Sequence, residues 1–227
     1  MNQASDSPPR KPRQPSAAAQ QRRQRQIEAK RAQILGAALD VFSRFGLHGA
    51  SLDQVALQAD VSKTNLLYYF SNKEELYLAV LRQLLATWMT PLNTFSEDQE
   101  PLEALRSYLR QKLEMSRDYP AESRLFCLEM LQGAPLLLPE LQGSSLRTLM
   151  EDKVRVIRTW IETGRLAPVD PYQLMFSIWA TTQHYADFKV QVQALCGRSL
   201  QDPAFFEEVL CGLETLVING LRPRVEG

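Results

Sequence analysis

Lys63, Thr64 and Leu67 stand at helical spacing between Val61 and Phe70. A helix there turns all three to one side when Val61 and Leu66 turn inward. A leucine beside Lys and Thr is out of place on a plainly solvated face. A DNA major groove has a use for each, guanine acceptors for the lysine and a thymine methyl for Leu or Thr. Ser51, Asn65, Tyr68, Tyr69 and Lys73 lie around this segment in the chain and carry donors suited to phosphate oxygens. The plainer alternative is a helical corner whose tyrosines belong to the core.

A second group lies more than a hundred residues on. The segment 170 to 195 is apolar on much of a helical circumference, yet its middle carries Ser177, Thr181, Thr182, Gln183, His184 and Asp187. Polar groups on a buried helix need partners, and a bound ligand is one kind of partner. The Gln183 amide offers a donor and an acceptor side by side, which matches the N–H and C=O pair of a ring imide. The same amide has a second use open to it, a hydrogen bond across a dimer interface. Trp88 and Trp179 offer flat faces to a small ring, or serve as plain core aromatics. With only His48 and His184 in the chain, and no His/Cys cluster at ligand spacing, no metal site is expected, and no cofactor.

The elements that must hold these residues are all helical. Apolar positions at Ile34, Ala38, Val41, Phe42 and Phe45 make a stripe that stops at Gly46. Ser51-Leu-Asp-Gln54 has the form of a capping box for a short helix, and Ser62 can cap the next, from Lys63 to about Phe70. Two short helices across a three-residue turn form a helix-turn-helix unit. Ser71-Asn-Lys-Glu74 reads as a further capping box, opening a long segment to about Thr94. Beyond it, helices are expected over 101 to 117, 121 to 132 and 144 to 164. A long helix from Asp170-Pro171 to about Leu195 and a last one from Asp202-Pro203 to about Gly220 complete the set. No period-two pattern competes. The expected fold is all-α, with a three-helix head, a helical body and about nine helices in total. Its expected division is a flexible basic tail over 1 to 28, a DNA-binding head over 29 to 75 and a ligand-binding and dimerisation body over 76 to 227.

Composition agrees with a nucleic-acid partner for one half only. The 227 residues are 44% hydrophobic, enough for a sizeable core without disulfides. The 26 basic and 26 acidic residues are unevenly placed: 11 against 5 in residues 1 to 73, and 15 against 21 thereafter. Cys127, Cys196 and Cys211 are odd in number and widely spaced, which suits a reducing cytoplasm. Neither a signal-peptide core nor an apolar run of membrane-spanning length is present in the sequence, so the expected location is cytoplasmic.

The stretch Ile34 to Leu76, with Phe-Ser-Arg-Phe-Gly, Ser-Leu-Asp-Gln-Val-Ala, Val-Ser-Lys, Leu-Tyr-Tyr-Phe and Asn-Lys-Glu-Glu-Leu, resembles the TetR family of repressors. The resemblance implies that the head binds DNA through its third helix. By position, it places Lys63, Thr64 and Leu67 at bases and Ser51, Asn65, Tyr68, Tyr69 and Lys73 at phosphates. It also implies a body that dimerises and binds an inducer. Asp60 stands where the family usually has Gly, at a turn position of positive φ that Asp tolerates. Thr64 and Leu67 stand where the family often has Gly and Tyr, so base preference does not carry over.

The body segments 123 to 130, 133 to 137, 166 to 171 and 178 to 188 resemble the pyrimidine-utilisation regulators within that family. That resemblance implies uracil or thymine as an effector that releases DNA, with Trp88, Trp179, Thr182 and Gln183 as ligand contacts. Two apolar stripes on the last helix, Phe206, Leu210, Leu213 and Val217, then Phe205, Val209 and Leu216, call for a partner beyond the body itself. A homodimer requires a palindromic double-stranded operator. An enzyme using Cys127 or a serine with His184 has little support, because the chain has no GxSxG, HExxH or glycine-rich phosphate loop. A regulator of this family for an apolar drug or lipid is the other alternative.

Overall fold

A computed structural model describes residues 16 to 223, and eleven α-helices occur among them. The first, α1 (Ala17–Gly49), starts at Ser16, whose hydroxyl accepts from the Ala19 N–H. Residues 17 to 28, read from sequence as tail, are therefore its first turns, and residues 1 to 15 lie outside the described part. These turns are exposed apart from the half-buried Ile27. They are helical because Ala, Gln and Arg are strong helix formers, and adding turns to an existing helix is far easier than nucleating one. Gly46 breaks α1 at φ 66°, which glycine adopts without strain.

α2 (Leu52–Gln58) and α3 (Lys63–Tyr69) follow with the expected caps. Ser51 and Gln54 form the reciprocal capping box, and the Ser62 hydroxyl accepts from Asn65 N–H at 3.1 Å. The cap of α4 (Lys73–Met89) differs by one residue from the expected box. Asn72, not Ser71, accepts from the Glu75 N–H at 2.8 Å, while Glu75, not Glu74, reaches back to the Ser71 N–H. Both registers offer a cap followed by a carboxylate, and the structure uses the second.

A 3-10 turn (Thr90–Thr94) leads to α5 (Pro101–Asp118), α6 (Pro120–Leu131), α7 (Leu138–Gln142) and α8 (Ser144–Glu162). The five-residue α7, which the sequence reading did not anticipate, carries Pro139 in its first turn, where its missing N–H costs nothing. The expected helix from 170 to 195 is two, α9 (Pro171–Asp187) and α10 (Lys189–Cys196), separated at Phe188 with φ −109° and ψ 28°. The last is α11 (Pro203–Leu221), with Asp202 capping Ala204 and Phe205.

Two apolar cores result, and they do not coincide with head and body. The first joins Ile34, Phe42, Val55 and Leu66 of the head to Tyr77, Leu81 and Trp88 of α4 and Leu125 of α6. The second gathers α5, α8, α9 and α11 around Tyr108, Leu109, Trp160, Met175 and Phe206. Phe42 meets Tyr77 edge-on at 5.0 Å, so the head is wedded to α4 and α6. The seam between the cores runs between α4 and α6 on one side and α5 and α9 on the other.

Candidate functional site

The helix-turn-helix unit is held by its backbone. Asp60 takes φ 49° at the turn, as its position requires, and the Val61 N–H donates to Ala56 O at 3.0 Å. Gln33 of α1 donates to Ala59 O at 2.7 Å, a tie that sequence reading missed because it spans 26 residues. Leu66 is fully buried and Val61 half-buried, so α3 has its inner face fixed. Lys63, Thr64, Asn65, Leu67 and Tyr68 are all exposed on this short helix. Tyr69 is half-buried and meets Tyr68 edge-on at 5.2 Å.

Two of the lysines are already engaged. Lys63 forms an exposed ion pair with Asp53 of α2 at 2.9 Å. Lys73, half-buried, donates to Ala50 O at 3.0 Å, beside the Ser51 cap of α2. An ammonium has three donors, so this bond leaves Lys73 able to meet a phosphate. The Ser51 oxygen accepts from Gln54 N–H at 3.2 Å, which leaves its hydroxyl proton to donate. Beside this face, Arg31 lies over the Phe70 ring at 5.0 Å. The exposed Arg22, Arg23 and Arg25 continue the positive charge along the first turns of α1.

The four expected ligand residues divide between the cores. Trp88 is packed in the first, tilted against Phe126 of α6 at 5.6 Å. It also lines a cleft of about 190 Å³ between α1 and α4, with Leu39, Leu84 and Tyr119. Trp179 borders the second core, where its indole N–H donates to Tyr108 Oη at 2.6 Å. Burial is the main reason the Tyr108 phenol is held well above its ordinary pKa. Thr182 is buried and donates to Ile178 O at 2.7 Å in its own helix. Gln183 is half-buried, and its amide makes no hydrogen bond among the described residues.

The two helices that carry Tyr108 and Trp179 run the same way. Trp179 touches Tyr108, and further along both helices Ser116 and Arg117 of α5 line one small cleft with Tyr185 of α9. Lys112 of α5 therefore comes level with Thr182 and Gln183. Lys112 was not singled out by sequence, since one lysine in an amphipathic helix reads as surface. It is 3% exposed and lies over the Trp88 ring at 4.6 Å. Burial lowers its pKa to about 8. Lys112 thus joins α5 to Trp88 of α4 across the seam.

Other polar residues near 170 to 195 find partners. Asp187 accepts from the Ser123 hydroxyl of α6, and its pKa is raised, chiefly by burial. His184 stacks on Phe188 at 5.0 Å. On the outer side, Phe176 and Phe188 are about half exposed, and Leu216 of α11 is 75% exposed. Of the second stripe expected on the last helix, Val209 is instead buried within the chain and Phe205 is half-buried. No helix of the described residues is long and apolar enough to cross a membrane.

The family models divide the chain in two. Residues 34–80 match bacterial regulatory proteins of the tetR family, and residues 81–224 match the C-terminal region of YcdC-like protein. The HTH-type transcriptional regulator RutR of Escherichia coli strain K12 is 55% identical over 203 residues, 89% of this chain and 95% of that protein. The HTH-type transcriptional repressor NicS of Pseudomonas putida is 28% identical over 144 residues, 63% of this chain and 66% of the relative. Among solved structures, a TetR family transcription regulator from Marinobacter aquaeolei VT8 shares the fold with a TM-score of 0.69 at 20% identity, over 89% of this chain and 100% of that one. With a helix-turn-helix head joined by one core to a helical body, and with these matches across both, the chain belongs to the TetR family of non-enzymatic transcriptional regulators, which bind operator DNA and small effectors.

Proposed function

We propose that this regulator is a homodimeric repressor of pyrimidine utilisation and related genes, released from a palindromic operator by uracil or thymine. The observation that carries this reading is the 55% identity to RutR over 95% of that protein's length, which takes in the effector-binding body as well as the head. The body's own chemistry supports it. The unpartnered amide of Gln183 matches the imide edge of uracil or thymine in one orientation and cytosine's N3 and N4–H only in the flipped one, and two aromatic walls lie near. In the head, Lys63, Thr64 and Leu67 read base edges, while Ser51, Asn65, Tyr68, Tyr69 and Lys73 hold the phosphates. The exposed Phe176 of α9 and Leu216 of α11 meet their counterparts in a second copy, building a four-helix interface.

The switch follows from the two cores. An effector in the seam bears on Trp88, and Trp88 shares a core with the head. Binding there shifts the first core against α9 and α11, which the partner holds, and so changes the separation of the two heads. The effector acts only through its different affinity for the two separations.

Calorimetric titration with uracil, thymine and cytosine tests the reading. Uracil and thymine are expected to bind and cytosine not, with binding lost in Gln183→Ala. No heat and no thermal shift with any base overturns it.

A further inference from the structure

Two donors meet at the seam, and neither has an acceptor among the described residues. Lys112 is 3% exposed as a residue, and its ammonium, which lies over the Trp88 ring, has no hydrogen bond or ion pair among the described residues. The indole N–H of that same Trp88 is buried and has no acceptor among the described residues. An ammonium taken out of water needs a partner, and an aromatic face supplies only part of what is lost. Burial is the only cause of the lysine's lowered pKa, so no carboxylate offsets the charge. Buried donors left open at one place, in a protein that binds a small molecule, point to acceptors on that molecule.

We propose that Lys112 Nζ and Trp88 Nε1 are the paired donors of the effector site, and that they take a flat ring by its carbonyl or carboxylate oxygens. The proposal rests on the effector reading above and adds to it the side of the ring that Gln183 leaves unread. Lys112 is level with Thr182 and Gln183, so a ring lying in the seam, with α5 and α9 on one side, meets the glutamine amide at its imide edge and the ammonium at a second oxygen. The Phe126 ring of α6 closes the site beside Trp88. Specificity then has two parts. The amide selects an adjacent N–H and C=O, and the donor pair demands a further oxygen.

The test is calorimetric titration of the full chain with uracil, thymine and orotate, a planar ring carboxylate. It is run on the wild type, on Lys112→Met and on Trp88→Phe. Met keeps the length of the side chain without its ammonium, and Phe keeps a ring without the N–H. Uracil affinity is expected to fall about tenfold or more in Lys112→Met and about fivefold in Trp88→Phe, as for a lost charged and a lost neutral hydrogen bond. Unliganded Lys112→Met is expected to melt no lower than wild type, because it removes an unpaired buried charge. Wild-type affinity in both variants overturns the donor pair and leaves the pyrimidine reading standing. Orotate binding without uracil or thymine binding, weakened in both variants, upholds the donor pair and overturns the pyrimidine-base reading. Binding of none of the three overturns both. Should Lys112→Met fail to fold, Trp88→Phe carries the same outcomes.

Discussion

Lys63 is paired with Asp53 in this structure, so the base-edge role proposed for it requires DNA to take it from a carboxylate. The pair is exposed and worth little in itself, but the acidic partner stays close to the phosphates after the exchange. Asp53→Asn is expected to strengthen binding to all duplexes severalfold, measured by fluorescence anisotropy. Lys63→Ala should weaken specific binding by about 1–3 kcal/mol and relax base preference, while Lys73→Ala should weaken all sequences evenly and lower the salt slope by about one. Equal effects of the two alanine variants would contradict the division into base and phosphate contacts. Lys63 and Lys73 were legible in the sequence as candidates, because their helices and caps are local patterns. Their partners, Asp53 and the Ala50 carbonyl, lie 10 and 23 residues away and needed the fold. Lys112 was illegible for the same reason, since its burial comes from α4 and α9. Its pKa, lowered from 10.5 to about 8 in the folded chain, makes a pH prediction. Between those values the unfolded chain binds more protons, so stability rises with pH there. Across pH 8 to about 9.5, before unfolded tyrosines ionise, the urea stability of effector-free wild type should rise relative to Lys112→Met, a difference in which the opposing contribution of the raised Cys127 thiol cancels.

At the scale of elements, the sequence signals worked where they were local and failed where two local answers competed. Asp-Pro starts at 170 and 202 and the Ser caps at 51 and 62 stand as expected. At α4 two cap-and-carboxylate registers overlap, and Asn72 with Glu75 prevails. Asn72→Ala should therefore destabilise the protein by about 1 kcal/mol in denaturant unfolding. The break at Phe188 had no glycine or proline to announce it. His184 stacks on that ring, and the chain turns there into α10, a helix without buried residues. The helical start of α1 was hidden by its polar composition, which signals exposure but says nothing against helix.

At the scale of the molecule, the important feature is that the cores cut across the head-and-body division. Apolar periodicity could assign each helix an inner face, but not which faces share a core. The outer faces of α9 and α11 remain apolar in one chain, with Phe176 and Leu216 exposed. Phe176→Asp and Leu216→Asp should each shift the protein from dimer to monomer in analytical ultracentrifugation and abolish tight binding to a palindromic duplex, because one head alone reads only a half-site. The enzyme alternative gains no support from Cys127, since burial, the first cause, and Asp187 raise its thiol pKa and so disfavour a thiolate.

The most direct measurement selects a duplex from random sequence with the protein itself and then titrates the complex with uracil, thymine and cytosine while anisotropy follows release. The account predicts release by uracil and thymine, none by cytosine, and a loss of response in Gln183→Ala with DNA binding kept. A complex unchanged at saturating uracil and thymine would contradict it.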